Sequence, residues 1–355
     1  MLVYLVATDP RPPIPSEKTY VHIQEDGSKS RAKQLPCWLD SYNAERKVRS
    51  KTNNTSASAI ELEPPEVFVS LVVPAYNEEQ RLSTMLKEAA DYLEENYSTA
   101  KTPSGKASIS KTQNNSNGSS EPKPGTNGLT PTGYEILVVS DGSTDATIQT
   151  ALSFAKTLPP KARNNLRVVS LAQNRGKGGA VTHGMRHVRG QYAIFADADG
   201  ASRFADMGSL VGACRAIEDR AGRGVAVGSR AHLVGSSAVV KRSRLRNFLM
   251  HSFHLLLRLL TPPATGRIKD TQCGFKLFSR AALRDIVPYM HSEGWIFDVE
   301  MLMLAESAGI RVVECPVGWH EVGGSKLNVV WDSLGMAWGL AVLRCAWGMG
   351  IYRRS

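Results

Sequence analysis

The octapeptide FADADGAS, residues 195–202, sets two carboxylates one residue apart at the end of an apolar run. Asp197 and Asp199 alternate on an extended chain, so both side chains leave on the same side. Like charges that close repel and raise each other's pKa. A shared hard, oxygen-seeking cation such as Mg2+ or Mn2+ removes the conflict. The competing reading is a solvated turn, for which Asp and Gly are common formers.

Further stretches carry groups of related use. In VVSDGSTDAT, Asp141 closes an apolar run and precedes Gly142, Ser143 and Thr144. Such an aspartate either caps the next helix or accepts the imide N–H of a uracil, with the glycine permitting close approach. In NRGKGGA, Gly176, Gly178 and Gly179 with Arg175 and Lys177 could cradle a diphosphate through backbone N–H groups and charge. A lone glycine-rich loop is common, so the motif is weak by itself. Arg230 in GSRAHL and the cluster KRSRLR, with Arg242 and Arg246, offer planar bidentate donors for a phosphate. A solvated helix face or a basic localisation patch is the alternative for the cluster. Asp298 and Glu300 in FDVE either line a site or merely cap and pair. Trp295 either stacks on a sugar face or fills a core. No zinc site is assigned to the eight histidines; His183, His187, His251 and His254 read as surface or packing residues.

The elements that must position these groups alternate in kind. VFVSLVVPAYNEEQRL is a β-branched run, a loop, and then a helical pattern through Leu82, Met85, Leu86 and Leu93. YEILVVS, LRVVSLA and QYAIFA supply three more strands, each leading into a loop or helix. This order predicts an α/β fold with a mainly parallel sheet, whose ligands sit beyond the carboxyl ends of the strands. Residues 1–65, mostly polar and without a long periodic segment, read as an irregular lead-in to a catalytic domain over 66–328. A Ser/Thr/Asn/Gly/Pro-rich stretch over 98–133 reads as a disordered insertion. Residues 329–355, with three tryptophans and a basic end, read as an interfacial helix, because 11 uncharged residues from Ser333 to Leu343 fall short of a membrane span. NFLMHSFHLLLRLL reads as a second amphipathic helix beside a lipid surface.

A hydrophobic fraction of 42% over 355 residues suits a folded protein with a substantial core. The net charge of +10 suits a phosphorylated substrate or a membrane surface. A nucleic-acid partner would account for the charge and for none of the carboxylates, so none is expected. The five cysteines are scattered, with no CxxC pair or disulfide framework, which fits a reducing compartment. MLVYLVATDPRPP holds about seven apolar residues before Asp9, fewer than a convincing signal core or membrane span requires.

In order, VPAYNEE, SDGSTDAT, NRGKGGA and DADG resemble the motifs of family 2 glycosyltransferases with the GT-A fold. GSRAHL, DTQCGFKLF, WIFDVEML and GGSKL narrow the resemblance to the dolichyl-phosphate β-glucosyltransferases, over about Phe68–Val330, and PCWLDSY is similar to that subgroup's lead-in. Members often carry two adjacent aspartates where this chain has Ser140 and Asp141, and usually start with a transmembrane helix. The resemblance implies transfer of glucose from UDP-glucose to dolichyl phosphate with inversion, helped by Mg2+ or Mn2+. It places Pro74, Tyr76, Glu78, Asp141, Lys177, Asp197 and Gln272 at the donor, with Asp270 near the sugar. Asp197 and Asp199 would hold the metal, Arg230, Arg242 and Arg246 the acceptor phosphate. Asp199, Arg230 and Asp298 would be catalytic, with Asp298 and Glu300 on the acceptor side. An acceptor phosphate is already anionic near neutral pH and needs no general base. Alternatives are a GDP-mannose-dependent polyprenyl-phosphate mannosyltransferase and a non-catalytic nucleotide or polyprenyl-phosphate binder. The expected place is the endoplasmic reticulum membrane, with the catalytic domain facing the cytosol. Asn53, Asn54, Asn96, Asn114 and Asn117, although each begins an N-x-Ser/Thr tripeptide, should then carry no glycans.

Overall fold

The computed structural model describes residues 7, 9–51, 60, 62–98, 131–233, 252–253, 255–323 and 329–354. Among the described residues nine strands, numbered β1 to β9 in chain order, form one sheet in the order β2-β1-β5-β4-β3-β6-β8-β7-β9. Its centre is parallel: β5 (Leu166–Leu171), β4 (Tyr134–Asp141), β3 (Val67–Ala75) and β6 (Gly190–Ala196). These are the four strands predicted. They are buried on both faces, as parallel strands between helical layers must be. The strand order reverses at β3, which has β4 on one side and β6 on the other, so the ends of β3, β4 and β6 border the crevice where ligands bind in such sheets.

The far half of the sheet is mixed. β8 (Phe275–Ser279) runs antiparallel to β6 with Ala196 opposite Phe275, and β7 (Val225–Ser229) runs antiparallel to β8 and parallel to β9 (Val312–Pro316). This reversal delivers the start of β8, with the DTQCG segment before it, to the edge where β6 leads into Asp197. The carboxyl end of β7, with Arg230, arrives at the same edge.

Helices α2 (Leu82–Tyr97), α3 (Thr147–Thr157) and α5 (Met207–Ile217) cover one face, burying Leu86, Ala151 and Leu210 against Leu71 and Val138. On the other face α4 (Lys177–Met185), α6 (Arg280–Ile286) and α7 (Phe297–Ser307) bury Val181, Leu283 and Leu302 against Val72 and Phe195. A third, smaller cluster joins Leu257, Val299 and Met303 to Leu340 and Leu343 of the C-terminal helix α8 (Val329–Gly348). Residues 255–260 are helical. None of the helices among the described residues is long and apolar enough to cross a membrane.

The lead-in departs from its sequence reading. It contributes β1 (Thr19–Val21) and β2 (Lys33–Gln34) to the sheet edge, and a 14-residue helix α1 (Trp38–Lys51). Strands of three and two residues are too short for periodicity to register. In α1, Trp38 and Leu39 of the first turn are the buried residues. Trp38 Nε1 donates to Met185 O at 2.7 Å, while His183 Nε2 and His187 Nδ1 lie 2.9 and 2.7 Å from the carbonyls of Glu17 and Pro36. Both histidines are buried packing residues, as expected. His251 and His254, and nearly all of the 98–133 insertion, lie outside the described residues.

Candidate active site

The loops after β3 and β4 are knitted into one rim. Asn77 sits at φ 54°, a left-handed conformation that Asn tolerates better than most residues. Its Oδ1 accepts from Thr144 N at 2.8 Å, and its own N–H donates to Ser143 Oγ at 3.1 Å. Glu78 N donates to Thr147 Oγ1 at 2.7 Å, and Glu79 Oε2 accepts from Ala146 N at 2.9 Å. Pro74 lies within β3 beneath this rim, and Tyr76 stands on it, exposed. The Glu78 carboxylate is clasped by Arg81 Nε and Nη2 at 2.7 and 2.6 Å. Arg81, which the sequence reading passed over, also acts electrostatically on Asp199 and Asp197.

Asp141 is buried at the end of β4. It does not cap α3, which begins six residues later; its Oδ1 accepts from Arg175 N at 2.7 Å. Burial pushes its carboxyl up to about 6, against hydrogen bonds from the Arg175 and Gly176 amides and the charges of Arg11 and Arg175. Gly142 has φ 65°, and a Cβ there would lie 2.5 Å from Asn174 N, so glycine is required.

The glycine-rich turn packs tightly against the backbone of Ser292 and Glu293. A Cβ on Gly178 would meet Ser292 O at 2.5 Å, and Gly179 N donates to Glu293 O at 3.0 Å. Arg175 is turned toward the lead-in. Its guanidinium is buried and donates to Arg11 O, Pro12 O and Glu17 Oε2 at 2.5, 3.1 and 2.9 Å, anchoring the lead-in. Lys177 does reach the site: its Nζ is 2.6 Å from Asp197 Oδ1 and 5.8 Å from the centre of the half-exposed Trp295 ring. Burial disfavours the Lys177 charge, yet Asp197 and Asp298 outweigh it and raise its pKa.

The carboxylate pair is held by backbone. Asp197 N donates to Gly274 O at 3.1 Å, and Asp199 Oδ1 accepts from Ala201 N at 3.0 Å. The Asp197 carboxylate lies against Gly274 so closely that a Cβ there would be 2.0 Å from Oδ2. Burial and the Asp197 charge push the Asp199 carboxyl up; the Ala201 amide, Arg81 and Lys177 oppose this. Two hard oxygen donors in such a place fit a divalent cation. Among the described residues no group of three or more His, Cys, Asp or Glu could hold a metal.

Arg230 approaches from the end of β7, where Asp270 grips it: Nε and the backbone N donate to Oδ2 at 2.7 and 2.9 Å, and Nη2 to Oδ1 at 2.9 Å. Arg230 pairing outweighs burial and lowers the Asp270 pKa. Gln272 Nε2 donates to Met336 Sδ of α8 at 2.6 Å, joining the segment before β8 to the C-terminal helix. Asp298 and Glu300 are both buried and paired, and neither lines an open surface. Asp298 is 2% exposed and is bound by the fully buried Lys276 Nζ, which also donates to Cys273 O at 2.6 Å. Glu300 accepts from the His291 and Ser292 amides, shaping the loop over 291–295. Arg242 and Arg246 lie outside the described residues. A groove of about 360 Å³ runs between that loop and α8, lined by Trp295, Ile296, Met336, Trp338 and Leu343 among others.

The sheet and the crevice motifs define the class: residues 126–287 match the model of glycosyl transferase family 2. The chain is 41% identical over 360 residues to the dolichyl-phosphate β-glucosyltransferase of Saccharomyces cerevisiae, covering 99% of this chain and 90% of that protein. It is 36% identical over 290 residues to that of Homo sapiens, covering 81% and 78%. A crystal structure described as a mycobacterial protein shares the fold, with a TM-score of 0.51 at 16% identity, covering 95% of this chain and 85% of that one. The chain belongs to the dolichyl-phosphate β-glucosyltransferase family.

Proposed function

We propose that this enzyme transfers glucose from UDP-glucose to dolichyl phosphate, with inversion at the anomeric carbon. The observation that carries the reading is the Asp197–Asp199 pair just beyond β6, with Asp197 packed onto Gly274 and with Lys177 and Arg81 supplying positive charge to it. Asp141 accepts the uracil imide N–H. Lys177 reaches from Asp197 toward the donor diphosphate. A Mg2+ or Mn2+ held by Asp197 and Asp199 would neutralise charge on the departing UDP. Arg230, fixed by Asp270, positions the acceptor phosphate for attack in line with the leaving group. Asp298 and Lys276 support this arrangement from behind, so we assign Asp298 a positioning role.

The acceptor's lipid end calls for a membrane surface, and the chain offers a matching apolar face. Leu255 and Leu259 of the 255–260 helix and Trp331, Leu334 and Trp338 of α8 are all exposed, while the other face of each helix is packed. Tryptophan favours the interface between headgroups and hydrocarbon. We place the site on the cytosolic face of the endoplasmic reticulum membrane, which predicts no N-glycans. The testing experiment offers labelled UDP-glucose and GDP-mannose separately with dolichyl phosphate. Transfer from UDP-glucose alone supports the reading; transfer from GDP-mannose alone overturns it.

A further inference from the structure

The lead-in brings one more cation to the donor side. Arg11 is partly exposed, and its guanidinium donates through Nη2 to Asn174 O at 3.0 Å, through Nη1 to Gln173 Oε1 at 3.3 Å and through Nε to Glu293 Oε2 at 3.3 Å. Asn174 is also the neighbour of Asp141 and Gly142: its Nδ2 donates to Asp141 O at 3.2 Å, and its backbone N is the atom a Gly142 Cβ would strike. Arg11 and Asp141 therefore border the same residue. The segment carrying Arg11 reads PRPPIP, residues 10–15, and prolines restrict its backbone. Arg175 fixes it further through the carbonyls of Arg11 and Pro12. A stiff, doubly anchored strap holds the guanidinium in place before any ligand arrives.

A guanidinium carries five N–H donors, and the three contacts above leave others for a ligand. The edge of uracil presents a carbonyl, an N–H and a second carbonyl, so a protein that accepts from the centre must donate beside it. We propose that Arg11 is a specificity-determining residue of the donor site, donating to a carbonyl oxygen of the uracil whose imide N–H Asp141 accepts. This rests on the UDP-donor reading given above. It makes the lead-in part of the binding site.

Calorimetric titration of the full chain in Mn2+, with UDP and separately with inorganic pyrophosphate, tests this. Arg11→Met keeps the aliphatic stem and removes the donors. It should weaken UDP by about tenfold to a hundredfold, the effect of one charge-assisted hydrogen bond, and leave pyrophosphate within about twofold. Arg11→Lys, which keeps a charge and one of the ties, should fall between Arg11→Met and wild type and provides a second variant if the first folds poorly. Unchanged UDP affinity in Arg11→Met overturns the proposal. Equal losses for UDP and pyrophosphate also overturn it, making Arg11 a purely structural tie. Wild-type protein that binds pyrophosphate but not UDP removes the donor reading and this inference together.

Discussion

Around the donor motifs, polar side chains are committed to protein partners: Asn77 to Thr144, Glu78 to Arg81, Asp141 to Arg175 and Asp197 to Lys177. Along α8 and the 255–260 helix, Leu255, Leu259, Trp331 and Trp338 face outward, and a groove separates α8 from the 291–295 loop. The first region is built to hold a rigid, charged ligand at fixed points. The second offers exposed apolar area and a cleft lined by Trp295, Ile296, Met336 and Trp338 together with His291, Ser292, Glu293 and Asp332, and under the proposed function it would take the acceptor's apolar chain. Gln272 and the 291–295 loop connect them, because Gln272 bonds to Met336 while Glu293 and Ser292 press on the glycine-rich turn.

If the two regions divide the work in this way, damage to each should be separable. The largest effect belongs to Asp199→Ala, which removes one of two carboxylates from the proposed metal site; transfer should fall below detection even in saturating UDP-glucose. Wild-type turnover in that variant would break the donor half of the comparison. Gly274→Ala comes next. A methyl 2.0 Å from Asp197 Oδ2 must displace the carboxylate, so kcat should drop severely while the helices of the acceptor side stay folded by circular dichroism. A fully active Gly274→Ala enzyme would show that Asp197 need not sit where it does.

A smaller loss is expected from replacing Trp331 and Trp338 together with serine. Binding to anionic vesicles should weaken markedly in a flotation assay, and UDP affinity measured in solution should not change. Equal loss of both would mean that α8 supports the donor site directly. The mildest effect is that of pH. Above about 6 the Asp141 carboxyl is ionised and can accept an N–H; below it the group is protonated and loses that capacity. Lowering the pH from 7 to 5 should raise the Kd for UDP by about tenfold through Asp141 alone, and Asp141→Asn should bind more weakly and lose that part of the pH dependence, leaving only the part due to the terminal phosphate of UDP.

Much of the donor half was legible because its motifs follow strands whose apolar runs are long and unbroken. Val67–Ala75, Tyr134–Asp141 and Gly190–Ala196 announce themselves, and the residues just beyond each must then share one edge. Gly274 was not legible as the seat of Asp197, since its role arises from an antiparallel pairing between β6 and β8 that spacing does not reveal. The burial of Asp298 was not read from the sequence. A signal did exist: Lys276 stands between Phe275 and Leu277 in a strand buried at every position, and a buried lysine requires a buried anion. The lead-in was underestimated because Arg11, Glu17 and Trp38 act mainly through contacts with residues far away in sequence, which leave no local pattern.

The central claim is that Asp197 and Asp199 support transfer by holding a divalent cation against the leaving diphosphate. It is tested most directly by stripping the full chain of metal with a chelator and following transfer of labelled glucose from UDP-glucose to dolichyl phosphate as Mn2+ is restored. The account predicts no transfer in the chelated protein and a saturable return of activity that Asp199→Ala does not show. Transfer at the full rate in the presence of the chelator would contradict it.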